Sequence, residues 1–173
     1  MVRKFNCEQT PSENSAIKLA KKDQLLKVND GRYELYSNQF IPLTTEANLL
    51  DRIRLQGVFD SHFSGGSIMH ANIEQKLDSV EEMERLIDLC VSKGVIYWAV
   101  NYNLQECENG HITVSKGANC PKCNKPIIYN YTRVVGFLTK TESWAKERRE
   151  IDYPNRQFYN GDKYDVKPLR EVA

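Results

Sequence analysis

Helical and strand spacings of apolar residues alternate along this chain and lay out most of its elements. In NSAIKLAKKD, residues 14–23, Ala16, Ile17, Leu19 and Ala20 fall on one short helical face. The residues just ahead spell a helix start, with Thr10 as N-cap, Pro11 at the first helical position and Glu13 closing a capping box. Residues 28–48 carry no sustained period. Asp30 and Gly31 mark a turn there, and RYELYSNQFIPL suits an irregular, partly extended segment. EANLLDRIRLQG, residues 46–57, sets Ala47, Leu50, Ile53 and Leu49 along one side of a surface helix, with Gly57 as its C′ stop.

After Gly65 and Gly66, SIMHANI has the length and content of a strand. Ser79-Val80-Glu81-Glu82 then repeats the capping-box pattern before a helix whose apolar face is Val80, Met83, Ile87, Cys90 and Val91, ended by Gly94. VIYWAVNY, residues 95–102, is β-branched and aromatic and almost continuously apolar, as a strand covered on both faces would be. Strand, helix and strand over 67–102 predict a βαβ unit with parallel strands and a right-handed crossover. Further on come turn residues, a β-prone run over 129–138, and a polar tail. In the tail one short helix is expected to end about the residue before Pro154, and the last residues to be loosely ordered. No internal repeat is present.

A chain of 173 residues, 40% hydrophobic and 27% charged, can bury the core of one soluble domain. The net charge of +1 provides neither a basic footprint for nucleic acid nor an acidic tail. No apolar run approaches a membrane span, and MVRKFNCEQT lacks the apolar stretch of a secretory leader, so the expectation is a cytoplasmic protein. Five cysteines is an odd number for a disulfide framework. Cys107, Cys120 and Cys123 crowd into one stretch, which in the cytosol favours a metal over disulfides.

Cys107, His111, Cys120 and Cys123 stand in the pattern C-x3-H-x8-C-x2-C. The two-residue gap lets one tight turn aim both sulfurs at a single ion. Zinc accepts thiolate and imidazole together and closes a four-ligand shell that leaves no position for water, the mark of a structural site. A second cysteine two residues after Cys107 would be the more usual partner; Asn109 stands there, and His111 takes the role. Asn109, Gly110 and Gly117 supply turn residues. His62 and His70 read as ordinary histidines. Cys90 reads as packed core, and Cys7 is left unassigned.

Past the knuckle, Arg133-Val134-Val135-Gly136-Phe137-Leu138 is a β-prone run broken by one glycine. Taken alone it is a strand with a bulge, or a point where another backbone comes close. Yet an Arg-Val-x-Gly-Phe motif after a four-ligand knuckle resembles the carboxy-terminal signature of the anaerobic, class III ribonucleoside-triphosphate reductases. The blocks FNCEQTPSENSAIKLAKKD, YSNQFIPL, FSGGSIMHANI, ECENGH with CPKC, RVVGFL and SWAKERREIDYPNRQFY are similar to successive blocks of that family, in its order, over residues 4–159.

The resemblance implies an α/β fold: part of a ten-stranded α/β barrel of the glycyl-radical enzyme type over 1–103, with the βαβ unit at 67–102, then a zinc knuckle at 104–128 and a glycyl-radical loop with a tail at 129–173. It implies that Gly136 carries a backbone radical installed by a partner activase that uses S-adenosylmethionine and an iron–sulfur cluster. Only an α-carbon without a side chain can flatten fully and spread the unpaired electron. The radical would take hydrogen from a catalytic cysteine, whose thiyl form attacks the ribose in the first step of deoxyribonucleotide synthesis for DNA replication. Thr10, Ser12, Glu13 and Asn14 resemble the family's substrate-phosphate loop, where free helix amides favour a phosphate. Neither Cys7 nor Cys90 matches the loop of the catalytic cysteine. The chain is therefore expected to be inactive alone and to pair with an amino-terminal reductase chain, the full assembly being a homodimer; a fragment or an autonomous piece are the other possibilities. Two competing readings are a stand-alone glycyl-radical replacement protein and a non-catalytic zinc-ribbon binding module.

Overall fold

The computed structural model describes residues 13–31, 33–134 and 136–160. Thr10, Pro11 and Ser12 of the expected helix start, together with Cys7 and the tail beyond 160, lie outside the described residues. Helix α1 (Glu13–Leu25) buries Ala16, Ile17 and Ala20 and leaves Leu19 exposed. A short 3-10 turn at Val28–Gly31 and a series of bends follow, so the irregular reading of this stretch holds.

Helix α2 (Leu49–Asp60) starts later than the spacing predicts because Asn48 caps it, its side chain accepting the Asp51 amide at 2.7 Å. Two expectations for α2 fail. Gly57 does not stop the helix, which runs on to Asp60; it lies buried where α2 meets the end of the next helix. Nor is α2 a surface helix, since Arg52, Gln56 and Asp60 are buried beside Leu49 and Ile53. Their polar groups are tolerated there because each is hydrogen-bonded. Arg52 donates to the carbonyls of Ile41, Pro42 and Thr45. Asp60, fully buried, accepts from the Ser67 amide and hydroxyl, Gln56 Nε2 and the Ile96 amide at 2.7–2.9 Å.

Strands β1 (Met69–Ile73) and β2 (Trp98–Tyr102) pair in parallel, joined through helix α3 (Val80–Ser92), so the expected βαβ unit forms. Ser79 caps α3 by accepting the Glu82 amide at 3.1 Å. Gly94, at φ +80°, ends it: its amide reaches the Val91 carbonyl while that of Val95 reaches Cys90. This stop consumes Val95, which is why β2 begins at Trp98 and not at 95. The buried side of α3 is Leu86 and Cys90; of the face read from spacing Cys90 is buried and Met83 half-buried, whereas Val80, Ile87 and Val91 are exposed. The apolar residues of this helix cover a broad arc opposite Glu81, Glu84, Arg85 and Asp88, and the sheet covers only the Leu86 and Cys90 edge of that arc, which spacing alone could not single out. Met69, Ala71 and Ile73 join Leu49, Ile53, Leu86, Cys90, Val95 and Tyr159 in one core. Alternation along the strand turns His70 and Asn72 to the opposite face. β2 is mostly half-buried, not covered on both faces as expected.

The second sheet is antiparallel, in the order β4-β3-β5-β6, from β3 (Leu104–Cys107), β4 (Ile112–Val114), β5 (Ile127–Val134) and β6 (Phe137–Lys140). Residues 129–138 are thus not a strand with a bulge but a hairpin, with Val134 opposite Phe137. Beyond it, a π-helical turn at Arg148–Asp152 runs directly into a helical turn at Tyr153–Asn155. The tail helix therefore passes through Pro154, where it had been expected to stop: Pro154 sits at the start of a new turn, in which its missing N–H has no partner to lose. The result is a mixed α/β fold in which no closed barrel forms among the described residues.

Candidate metal centre and glycine hairpin

Two turns converge to bring the four candidate ligands together. Cys107 ends β3, and the Gly110 amide folds back onto its carbonyl at 2.8 Å, with Gly110 at φ +75°. That turn brings His111 beside Cys107. Across the sheet, Cys120 and Cys123 lie on a knuckle in which the Asn124 amide reaches the Cys120 carbonyl at 2.8 Å. Asn124 takes the left-handed conformation there, φ 59°, and supplies this turn, while Gly117 lies at a bend ahead of the knuckle. An Asn directly after C-x-x-C was the signal available in the sequence.

The ligand atoms of Cys107, His111, Cys120 and Cys123 all lie within 4.8 Å of one another. The Cys107 and Cys123 sulfurs are 3.7 Å apart, and His111 Nδ1 is 3.3 Å from Cys123 Sγ and 3.8 Å from Cys120 Sγ. Sulfurs about 2.3 Å from a tetrahedral zinc are separated by roughly 3.8 Å, so these separations fit one zinc ion with all four residues bound. Desolvation raises the Cys120 thiol, but the amides of Lys122 and Cys123, then the His111 and Cys107 side chains, outweigh it and bring it down to about 6. Such a thiol gives up its proton readily to a metal. Cys90, by contrast, is buried in the core, and desolvation pushes its thiol up to about 12.

Gly136 lies at the other end of β5, in the hairpin turn. It is exposed, its φ is outside the left-handed range, and a Cβ built on it would meet nothing within 4 Å among the described residues. Neither backbone conformation nor packing there calls for glycine. Arg133 Nη1 reaches its carbonyl at 3.3 Å. The hairpin is tied down by residues that the sequence reading passed over. The Arg133 amide donates to Asn101 Oδ1 at 3.2 Å, and Arg156 Nη1 donates to the Arg133 carbonyl at 2.6 Å. Arg156 also grips both oxygens of Asp152, one of which takes Arg148 as well. Burial pushes the Asp152 carboxyl up, but Arg156 and then Arg148 outweigh it and hold it below its ordinary value. Of the expected phosphate residues, Glu13 and Asn14 begin α1, and Thr10 and Ser12 lie outside the described residues. His70 is 2% exposed, and its Nε2 has no hydrogen-bond partner among the described residues.

The family model for the anaerobic ribonucleoside-triphosphate reductases matches residues 2–159. This chain belongs to that family. Among solved structures, an anaerobic ribonucleotide reductase superposes with TM-score 0.77 at 41% identity, over 90% of this chain and 25% of its own length. The enzyme from Thermotoga maritima with glycerol in its active site does so with TM-score 0.70 at 40% identity, over 87% of this chain and 24% of its own. The same enzyme in complex with dATP and CTP gives 0.68 at 40% identity, over 85% and 24%. Among curated protein sequences no relative is found. The chain thus spans about a quarter of the reductases it resembles. No helix among the described residues is long and apolar enough to cross a membrane.

Proposed function

We propose that this chain is the radical-bearing carboxy-terminal part of an anaerobic ribonucleoside-triphosphate reductase, and that Gly136 stores the radical. The supporting observation is the unforced glycine: it stands at an exposed hairpin turn where a Cβ would meet nothing among the described residues, and glycine costs conformational entropy there. Radical storage supplies the missing reason, because only a glycine α-carbon flattens freely between its two amides. The activase, using S-adenosylmethionine and an iron–sulfur cluster, removes one hydrogen atom from Gly136. In turnover the Gly136 α-carbon takes a hydrogen atom from a cysteine thiol, becoming an ordinary methylene and leaving the thiyl radical that attacks the ribose.

Cys107, His111, Cys120 and Cys123 hold zinc, which when bound closes the knuckle as a structural clamp. These residues fix the outer end of β5 and so orient the strand that leads to Gly136. Residues 104–128 form this knuckle, and 129–173 the radical loop and tail. Within 1–103, β1, α3 and β2 are one unit of the family's ten-stranded barrel. The amino end of α1, with Thr10, Ser12, Glu13 and Asn14, meets the substrate triphosphate through its free amides. The catalytic cysteine and the rest of the barrel come from an amino-terminal reductase chain that pairs with this one in the cytoplasm, in an assembly that dimerises. The exposed Val80, Ile87 and Val91 stripe on α3 suits burial against that partner.

The test is electron paramagnetic resonance on the anaerobic assembly of this chain, the amino-terminal chain and the activase. A doublet that disappears in Gly136→Ala, with backbone cleavage at Gly136 in air, is the expected result. A competent activase and bound zinc with no doublet would overturn the reading.

A further inference from the structure

Parallel strands flanked by a helix are ordinarily filled with Val and Ile. Here Asn72 and Asn101 stand opposite each other across β1 and β2, at 0% and 2% exposure. Burying two carboxamides weakens a sheet unless every polar atom is used. Each is: Asn101 Nδ2 donates to Asn72 Oδ1 at 2.7 Å, and Asn72 Nδ2 donates to the Gln157 carbonyl at 3.1 Å. The Asn72 bond occupies the nitrogen end of Asn101 and so turns its Oδ1 the other way.

That oxygen faces the glycine hairpin. It accepts the Thr132 hydroxyl and the Arg133 amide, each at 3.2 Å. The place matters because β3 pairs with β5 only as far as Leu104 opposite Tyr131. From Thr132 onward the edge of β5 away from β6 has no strand beside it among the described residues. Asn101 and Arg156 take the amide and the carbonyl of Arg133 in place of one. Gly136 follows three residues later, and its carbonyl is held by the side chain of the same Arg133. One side chain of the parallel sheet, Asn101, thus shares with Arg156 the holding of the hairpin.

We propose that Asn101 is a positioning residue for Gly136, its Oδ1 holding Thr132 and Arg133 so that the Gly136 α-carbon stands at a fixed distance from the reacting cysteine. The proposal rests on Gly136 being the radical site. It separates storing the radical, which the hairpin does alone, from passing it on, which needs the distance. Asn72 acts through Asn101 by fixing the orientation of its amide.

The experiment compares wild type, Asn101→Leu, Asn101→Asp and Thr132→Val in the assembled, activase-treated reductase, measuring spins per chain, zinc per chain and deoxynucleotide formed per spin. Leu keeps the branching of Asn, though it is larger, and loses the acceptor, whereas Asp keeps the acceptor and loses the donor to Asn72. The expected result is a normal doublet and normal zinc in Asn101→Leu, with turnover per spin down by about a hundredfold, the cost of roughly an ångström of misplacement between reacting atoms. Asn101→Asp should recover only part of this loss, because the bond that orients the group through Asn72 goes with the nitrogen, and Thr132→Val should show a smaller loss. Turnover per spin unchanged in Asn101→Leu would overturn the proposal while leaving the radical assignment intact. If Asn101→Leu does not assemble, Thr132→Val decides: a lowered ratio supports the proposal and an unchanged one overturns it. A wild type without a doublet would instead sink the assignment of Gly136.

Discussion

A Cβ placed on Gly57 would lie 1.7 Å from the carbonyl oxygen of Lys93, so α2 meets the end of α3 backbone against backbone. Gly57→Ala should force the helices apart and destabilise the chain by about 2–3 kcal/mol, the scale of an overpacked core. Urea unfolding measures it. Lys93→Ala should leave the midpoint nearly unchanged, because the contact is made by the Lys93 carbonyl and not its side chain.

Zinc analysis of the purified chain should find about one ion per chain. Cys120→Ser and Cys123→Ser should each lower that content, while His111→Cys should retain it, since a thiolate serves zinc as well as imidazole does. Stripping the metal with a chelator should speed amide exchange in β3, β4 and the first residues of β5. The core around Ile53, Ile73 and Cys90 contains no ligand, so β1 and α3 should stay protected.

Gly136→Ala should fold as well as wild type or gain about 0.4–1 kcal/mol, because the site accommodates a Cβ and alanine has less entropy to lose. Denaturant midpoints read this without reference to any radical. A clear loss of stability would mean that the fold itself needs the glycine.

Desolvation, then the charges of Arg156 and Arg133, lower His70 to about 4 from an ordinary 6.5. The unfolded chain therefore binds the proton more tightly than the folded one. Stability should be fully present above about pH 6.5 and fall as the pH drops toward 4, by about 3 kcal/mol in all. Denaturant titrations at several pH values check this, and His70→Gln should flatten the dependence across that window. A slope equally steep in His70→Gln would move the cause to another group.

Local chemistry was legible in the sequence. The Ser79 cap and the Gly94 stop depend on residues a few positions apart, whose spacing fixes which backbone groups can meet, and the βαβ order and the cluster of Cys107, His111, Cys120 and Cys123 each lie within one short stretch of chain. Family membership was legible too, from blocks in a fixed order.

Tertiary structure decided what distant segments do to one another. Gly57 reads as a stop until Lys93 is brought against it, and the buried side of α3 was open until the sheet chose Leu86 and Cys90. Gly136 became a turn only once β6 folded back on β5. Asn101 is one polar residue in an apolar strand, and its use appears when Arg133 arrives from thirty-two positions away. Periodicity records how a segment meets water, but a close approach or a hydrogen bond between remote segments leaves no period in either one.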